Sequence, residues 1–177
     1  LRRKPSIILM GEMRDKETIG EGVTASMTGH LVYGTLHSNG VADAIRRMVN
    51  VFDSAEKNAR AIDILTSLKM VIAQMLLPST DGRRVPIREY MVFTEEIVDN
   101  LLEAGVDNLT YQARKMLLLH GKTLLQDAQE KYDEGKIDIK WLNEVKNLTK
   151  GVQKDIEKTV EPIVEIEKED LKLIQEV

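Results

Sequence analysis

The sequence predicts an α/β fold: a parallel sheet with covering helices, then an antiparallel hairpin, then a helical region. Three observations carry this. Ser6-Ile7-Ile8-Leu9-Met10 is a short apolar run rich in β-branched residues and stopped by Gly11, the pattern of a strand buried on both faces. Leu31-Val32-Tyr33-Gly34-Thr35-Leu36 repeats the pattern, is stopped by Ser38-Asn39-Gly40, and is separated from the first run by a segment of helical spacing. Strand, helix and strand in this order make a βαβ unit, whose two strands run parallel. The third observation is Pro78-Ser79-Thr80-Asp81-Gly82 between Met75-Leu76-Leu77 and the run from Val85 to Phe93, where Asp-Gly between apolar segments signals a hairpin.

Taken in order, the first strand is expected to be central in its sheet. The helix after it begins at Asp15, because Thr18, Ile19, Val23, Ala25 and Met27 recur at helical intervals, and it ends at Thr28-Gly29. Beyond Asn39-Gly40, the residues Val41, Ala44, Ile45 and Met48 suggest a short helix. A longer one is expected from Ser54, a good N-cap residue, through Ile62, Leu65, Leu68 and Ile72. After the hairpin, Thr94 caps a helix whose first turn holds Glu95 and Glu96, where carboxylates complement the dipole, and Gly105 closes it. Helical spacing resumes from Thr110 to about Lys131. Beyond Asp133 the composition turns to Lys, Glu and Asp with scattered apolar residues; Ile156, Val160 and Ile163 keep helical spacing, Pro162 interrupts it, and Glu165 to Asp170 is acidic. This segment reads as a charged helical or partly disordered tail. The expected organisation is residues 1–93 as the α/β core, 94–132 as a helical subdomain and 133–177 as the tail.

Composition narrows the function classes. The 177 residues are about one domain's worth. With 42% hydrophobic and 31% charged residues and a net charge of −4, the chain is ordinary for a globular protein, which argues against disorder through most of it. The absence of Cys removes disulfides, thiolate metal sites and cysteine nucleophiles, and fits a reducing compartment. The longest apolar runs fall well short of the roughly 20 residues that span a bilayer. Nucleic-acid binding is not expected, since the balance is acidic, aromatics are 4% and no basic face carries stacking residues. The chain opens on Leu1 rather than Met and is expected to be a piece of a longer protein.

Chemistry concentrates where the two strands end. In doubly wound sheets ligands sit at the carboxyl ends of strands, so Glu12, emerging just past the first strand, is placed to act. In a P-loop NTPase this is the Walker B position, where a carboxylate orients the attacking water or holds the shell of Mg²⁺. A strand that simply ends in a charged loop gives the same local pattern. Two of the three His, His30 and His37, bracket the second strand, and His37 leaves its carboxyl end beside the loop that carries Glu12. An imidazole there can donate to a phosphate oxygen and respond to a nearby anion. Shared metal ligation is unattractive, because His30 and His37 lie near opposite ends of one strand.

The run from Ile8 to Thr18, the run from Thr28 to Asn39, and Arg47 before Val51-Phe52 together resemble the type II/type IV secretion ATPases. These include pilus extension and retraction motors and the DotB-like ATPases of type IVB (Dot/Icm) secretion and related conjugation systems. The first run resembles their atypical Walker B box and the second their His box; the likeness is specific from Leu1 to about Phe52 and looser to about Lys131. Pro78 to Val85 with Arg88-Glu89-Tyr90-Met91-Val92-Phe93 is more similar to the DotB-like branch, and Thr94 to Ala104 departs from the Ala-Ile-Arg-rich pattern of retraction motors. The resemblance implies the C-terminal part of a RecA-like P-loop NTPase domain. It implies Glu12 as the catalytic acid that positions water, and His37 and His30 as residues coupling nucleotide state to the sheet. Arg14 becomes the Walker B-loop arginine, Thr35 a support of the strand end, and Arg47 a matching arginine without an assigned role. It further implies ATP, with Mg²⁺ held through nucleotide and water near Glu12 rather than by direct ligands. The intact parent would be a homo-hexamer, cytoplasmic and peripheral at the inner membrane, working with a secretion or conjugation apparatus.

The family places its Walker A loop upstream of the Walker B strand, which here begins at residue 6. Gly121-Lys122-Thr123 supplies only part of G-x-x-x-x-G-K-[ST]: the first Gly would be at position 116, which is Met116, and a Leu-rich helical stretch precedes it. The chain alone is therefore expected not to hydrolyse ATP. The alternative is a truncated or split-gene product that only binds the secretion assembly.

Overall fold

The computed structural model describes residues 5–150. Arg2, Arg3 and Lys4, and the tail pattern around Ile156, Val160, Pro162, Ile163 and Glu165 to Asp170, lie outside the described residues. Strands β1 (Ile7–Met10) and β2 (Leu31–Gly34) pair in parallel, with Ile7 opposite Leu31 and Met10 opposite Gly34. Between them runs α1 (Lys16–Met27), so the βαβ unit forms as the pattern predicts. Asp15 caps α1: its Oδ1 accepts from the Thr18 N–H at 2.8 Å, while the Thr18 hydroxyl faces the Asp15 backbone in a reciprocal capping box.

β1 is not buried on both faces. Ile7 and Leu9 are 57% and 79% exposed, and opposite them Leu31 and Tyr33 are exposed as well. Because side chains alternate along a strand, these four share one face, and among the described residues that face is left open. The apolar run suits the interior of a layered sheet, but among the described residues β1 pairs with β2 alone and packs on one side.

The helix that follows, α2 (Val41–Asn50), is the most buried element: Val41, Ala42, Ala44, Ile45, Met48 and Val49 are all inside. It packs against α3 (Lys57–Ser67) and α4 (Glu95–His120). Two expectations for α3 are corrected. Ser54 does not cap it, since Glu56 occupies the N-cap position, and the helix stops at Ser67 rather than reaching Ile72. Leu68 turns the backbone extended (φ −63°, ψ 135°), and Ile72 lies in β3 (Met70–Pro78). The apolar run here satisfies either periodicity, and pairing with β4 (Arg84–Val92) in an antiparallel hairpin decides for strand.

Thr94 caps α4, accepting from the Ile97 N–H at 3.3 Å. Gly105 interrupts α4 with φ 71° and ψ 167°, a left-handed φ that costs a side-chain-bearing residue strain, and helical backbone resumes directly after it, ahead of Thr110. α5 (Leu124–Asp133) follows, and residues 139–150 are helical. Ile137, Leu142 and Val145 are buried, so a charged-looking segment contains an apolar stripe.

The described residues divide into two compact units: 5–75 with 86–123, and 76–85 with 124–150. The first holds both parallel strands, the open end of the hairpin away from its turn, and α1–α4, around a core that includes Ile19, Ile45, Ile64, Met91, Leu101 and Ala113. Within the second, the Thr80 N–H donates to the Lys136 carbonyl at 3.1 Å and the Thr80 hydroxyl to the Gly135 carbonyl at 2.9 Å, tying the hairpin turn to the segment after α5. No helix among the described residues is long and apolar enough to cross a membrane.

Ile45 is fully buried on the innermost face of α2. Ile45→Ala is expected to lower unfolding free energy by about 2–5 kcal/mol. Met27→Ala, at an exposed position, should stay within about 0.5 kcal/mol of the parent. Urea unfolding followed by circular dichroism measures both, and equal losses would contradict the core described.

Candidate functional site

Two loops leave the carboxyl ends of β1 and β2 side by side. The first, Gly11 to Asp15, is pinned to the second: the Met13 N–H donates to the Thr35 carbonyl at 2.8 Å, and the Thr35 hydroxyl donates to the Gly11 carbonyl. Its far end is locked by the α1 capping box and by the Arg14 N–H donating to the Thr18 hydroxyl at 3.2 Å. Glu12 is held between these anchors, with its side chain partly exposed. His37 leaves the second loop so that its Nε2 lies 3.7 Å from Glu12 Oε1, an ion pair when the imidazole is protonated. Both groups face solvent, His37 at 83% and Glu12 at 43% side-chain exposure. The arrangement offers a carboxylate that can accept from a water and an imidazole that can donate to an anion, at one mouth.

The Asp15 carboxyl is held below its ordinary range by the Thr18 backbone N–H first, then by the Thr18 hydroxyl. Arg14 Nε lies 3.9 Å from Asp15 Oδ2, with its side chain 72% exposed, so it stands beside the Glu12 loop. Thr35 is the hinge pin between the loops. His30 and Arg47 are not part of this cluster. His30 precedes β2, and its Nδ1 lies 3.1 Å from the Ala25 carbonyl oxygen, which can only accept, so this contact places a proton on Nδ1. Arg47 is exposed in the last turn of α2, roughly 10 Å along the helix axis from the loop that carries His37.

The structure adds residues that hold the His37 loop. The Asn39 N–H donates to Asp43 Oδ2 at 3.2 Å, and Arg46 donates to Asp43 Oδ1 at 2.5 Å. An Asp four residues after Asn39, at a helix start, was a legible signal. The Val41 N–H donates to Glu89 Oε1 at 2.7 Å, across 48 positions, and no local pattern announces that contact. Gly121-Lys122-Thr123 is no phosphate loop: Gly121 ends α4, and Lys122 exchanges backbone hydrogen bonds with Tyr90. No group of three His, Asp or Glu able to hold a metal ion occurs among the described residues.

With this geometry in view, residues 1–167 match the family model described as type II/IV secretion system protein. The chain belongs to that family. It is 48% identical over 93 residues to a twitching motility protein of Neisseria gonorrhoeae, covering 52% of this chain and 25% of that one. It is 47% identical over 106 residues to the type IV pilus retraction ATPase PilT of Pseudomonas aeruginosa, covering 60% of this chain and 31% of that one. The X-ray structure of the Legionella pneumophila ATPase DotB superimposes with a TM-score of 0.79 at 43% identity, covering 81% of this chain and 39% of that one. The chain thus spans well under half the length of these relatives, and its fold is that of RecA-like secretion ATPases.

Arg46 holds the Asp43 carboxyl below its ordinary value of 3.8; burial pushes it back up, and the Asn39 N–H and the Arg46 and Arg47 charges lower it again. A depressed folded-state value means the carboxylate stabilises the fold above the unfolded value and loses that contribution as pH falls through the folded one. Asp43→Asn should therefore melt below the parent near neutral pH, with the gap closing only as pH drops below 3.8. Melting curves across acid pH check this, and a gap unchanged far below that value would contradict it.

Proposed function

We propose that this chain is the C-terminal portion of an ATP-hydrolysing secretion motor, a homo-hexamer that powers type IV secretion, conjugative transfer or a related pilus machine from the cytoplasmic face of the inner membrane. The observation that carries the reading is the approach of Glu12 and His37 to 3.7 Å at the carboxyl ends of two parallel strands. In the reaction, a water oxygen bonds to the γ-phosphorus of ATP, the bond from that phosphorus to the bridging oxygen breaks, ADP leaves with the electron pair, and the proton that the water gives up passes to a phosphate oxygen or to solvent. Glu12 accepts a hydrogen bond from the water and aligns it, which lowers the entropic part of the barrier. His37 donates to a phosphate oxygen and carries the presence or loss of that charge into β2. His30 relays at the other end of β2, while Arg14 and Thr35 shape the Glu12 loop.

Of the two carboxylates in the Gly11–Asp15 loop, Asp15 is engaged as the α1 cap and Glu12 is not, so Mg²⁺ fits here through nucleotide and water rather than in a protein cage. Bound in this way, the ion would supply positive charge against the charge developing on the phosphates, while Glu12 holds the water. The open apolar face of Ile7, Leu9, Leu31 and Tyr33 supports the reading that further core of an intact motor covers this sheet.

Since G-x-x-x-x-G-K-[ST] occurs nowhere in the 177 residues, the purified chain is expected to show negligible ATP turnover. Joined to the preceding portion of Legionella DotB, it should form hexamers that hydrolyse ATP, and Glu12→Gln should reduce the rate by roughly 100-fold or more. Phosphate release and light scattering measure both. A hexameric fusion whose turnover ignores Glu12→Gln would sink the assignment, and turnover by the chain alone would overturn the need for an external phosphate loop.

A further inference from the structure

Resting on the reading of Glu12 and His37 as partners, we propose that Glu89 is a positioning residue for His37, tying the loop that carries it to the hairpin. The upstream end of that loop is fixed at Thr35, by its two bonds to the Glu12 loop. The downstream end is the start of α2, where the first-turn N–H groups have no partner within the helix. Gly40 occupies the N-cap position and has no side chain to satisfy them. Val41 is fully buried, so its N–H needs an acceptor from elsewhere in the protein. Glu89 Oε1 supplies it at 2.7 Å, and a carboxylate at this end also meets the positive pole of the helix.

β4 holds Glu89 firmly enough to serve as an anchor. Its neighbours are engaged on both sides: Arg88 donates to Gln74 of β3 at 3.2 Å, and Tyr90 exchanges backbone bonds of 2.9 Å with Lys122. Gly40 is the matching half of the contact. A Cβ there would lie 2.7 Å from Glu89 Oε1. The Gly40 backbone is extended (φ 170°, ψ 177°), open to any residue, so the position requires space rather than glycine's flexibility. His37, at 83% exposure, has little packing of its own, and its place beside Glu12 is inherited from the Thr35 anchor upstream and from the Asn39–Asp43 and Val41–Glu89 bonds downstream. A strain on the hairpin can therefore pass to the His37 loop through the Val41–Glu89 hydrogen bond.

The test uses the 177-residue chain with isotope-labelled histidine, following the ring resonances of His37 by NMR, with His37→Gln as assignment control. Glu12→Gln is introduced alone and in Glu89→Gln, Glu89→Ala and Gly40→Ala backgrounds. The shift that Glu12→Gln produces at His37 is expected to survive in Glu89→Gln, which keeps the acceptor. It should fall by about half or more in Glu89→Ala and Gly40→Ala, the signature of lost coupling between sites. The His30 ring, held by the Ala25 carbonyl, should not respond in any background. An equal His37 shift in every background would reduce Glu89 to a stabilising cap and overturn the proposal. So would a loss in Glu89→Gln as large as in Glu89→Ala, or no response of His37 in the parent. Should Glu89→Ala fail to fold, Gly40→Ala and Glu89→Gln decide by the same criteria. Nucleotide plays no part here, so intact coupling beside a fusion indifferent to Glu12→Gln would sink the ATPase reading and leave the role of Glu89 standing.

Discussion

The parallel register of β1 and β2 is the constraint on which the rest depends. With Met10 opposite Gly34, the two chains emerge at the same level, about 4.8 Å apart, and their following loops must run side by side. The Met13 and Thr35 bonds extend that ladder beyond the strands, so Glu12 and His37 are delivered to a common mouth by backbone pairing rather than by contacts of their own. A one-residue slip would turn Glu12 to the other face of the sheet. Exposed side chains contribute little energy to holding such a pair, so its geometry is set by what lies beneath it.

Beneath it lies α2. Six of its ten residues are buried against α3, α4 and the surrounding core, which makes the helix a rigid post. Its amino end is finished by Asp43 from within and by Glu89 from the hairpin, so the loop between β2 and α2 has little freedom despite its exposure. The same elements explain why the site is open to water: Glu12 and His37 project from the rim of the sheet, and the apolar face bearing Ile7, Leu9, Leu31 and Tyr33 is uncovered among the described residues. That face has the composition of an interior and the exposure of a surface, the combination found where another layer of protein docks.

How far the sequence could be read depended on whether the deciding interaction was local. The βαβ unit, the Asp-Gly hairpin, the Thr94 cap and the Gly105 interruption each follow from residues within a few positions of one another, and each is present. The end of α3 could not be read this way, because the stretch from Leu68 to Ile72 suits helix or strand and only pairing with β4 chooses. The exposure of β1 departs from its apolar pattern for a related reason: an apolar run records the surroundings it is suited to, while the strands and helices actually beside it decide what is covered.

By itself the sequence determined the strand ends, and with them the chemistry offered there, a carboxylate after one apolar run and an imidazole after the next, because strand-forming runs and the residues that stop them are local properties of the chain. Only the tertiary structure decided that Glu12 meets His37 while His30 and Arg47 stand apart, and that Glu89 closes the amino end of α2. The physical reason is that a distance between side chains far apart in sequence is set by strand register and helix packing, and neither is written in any single segment.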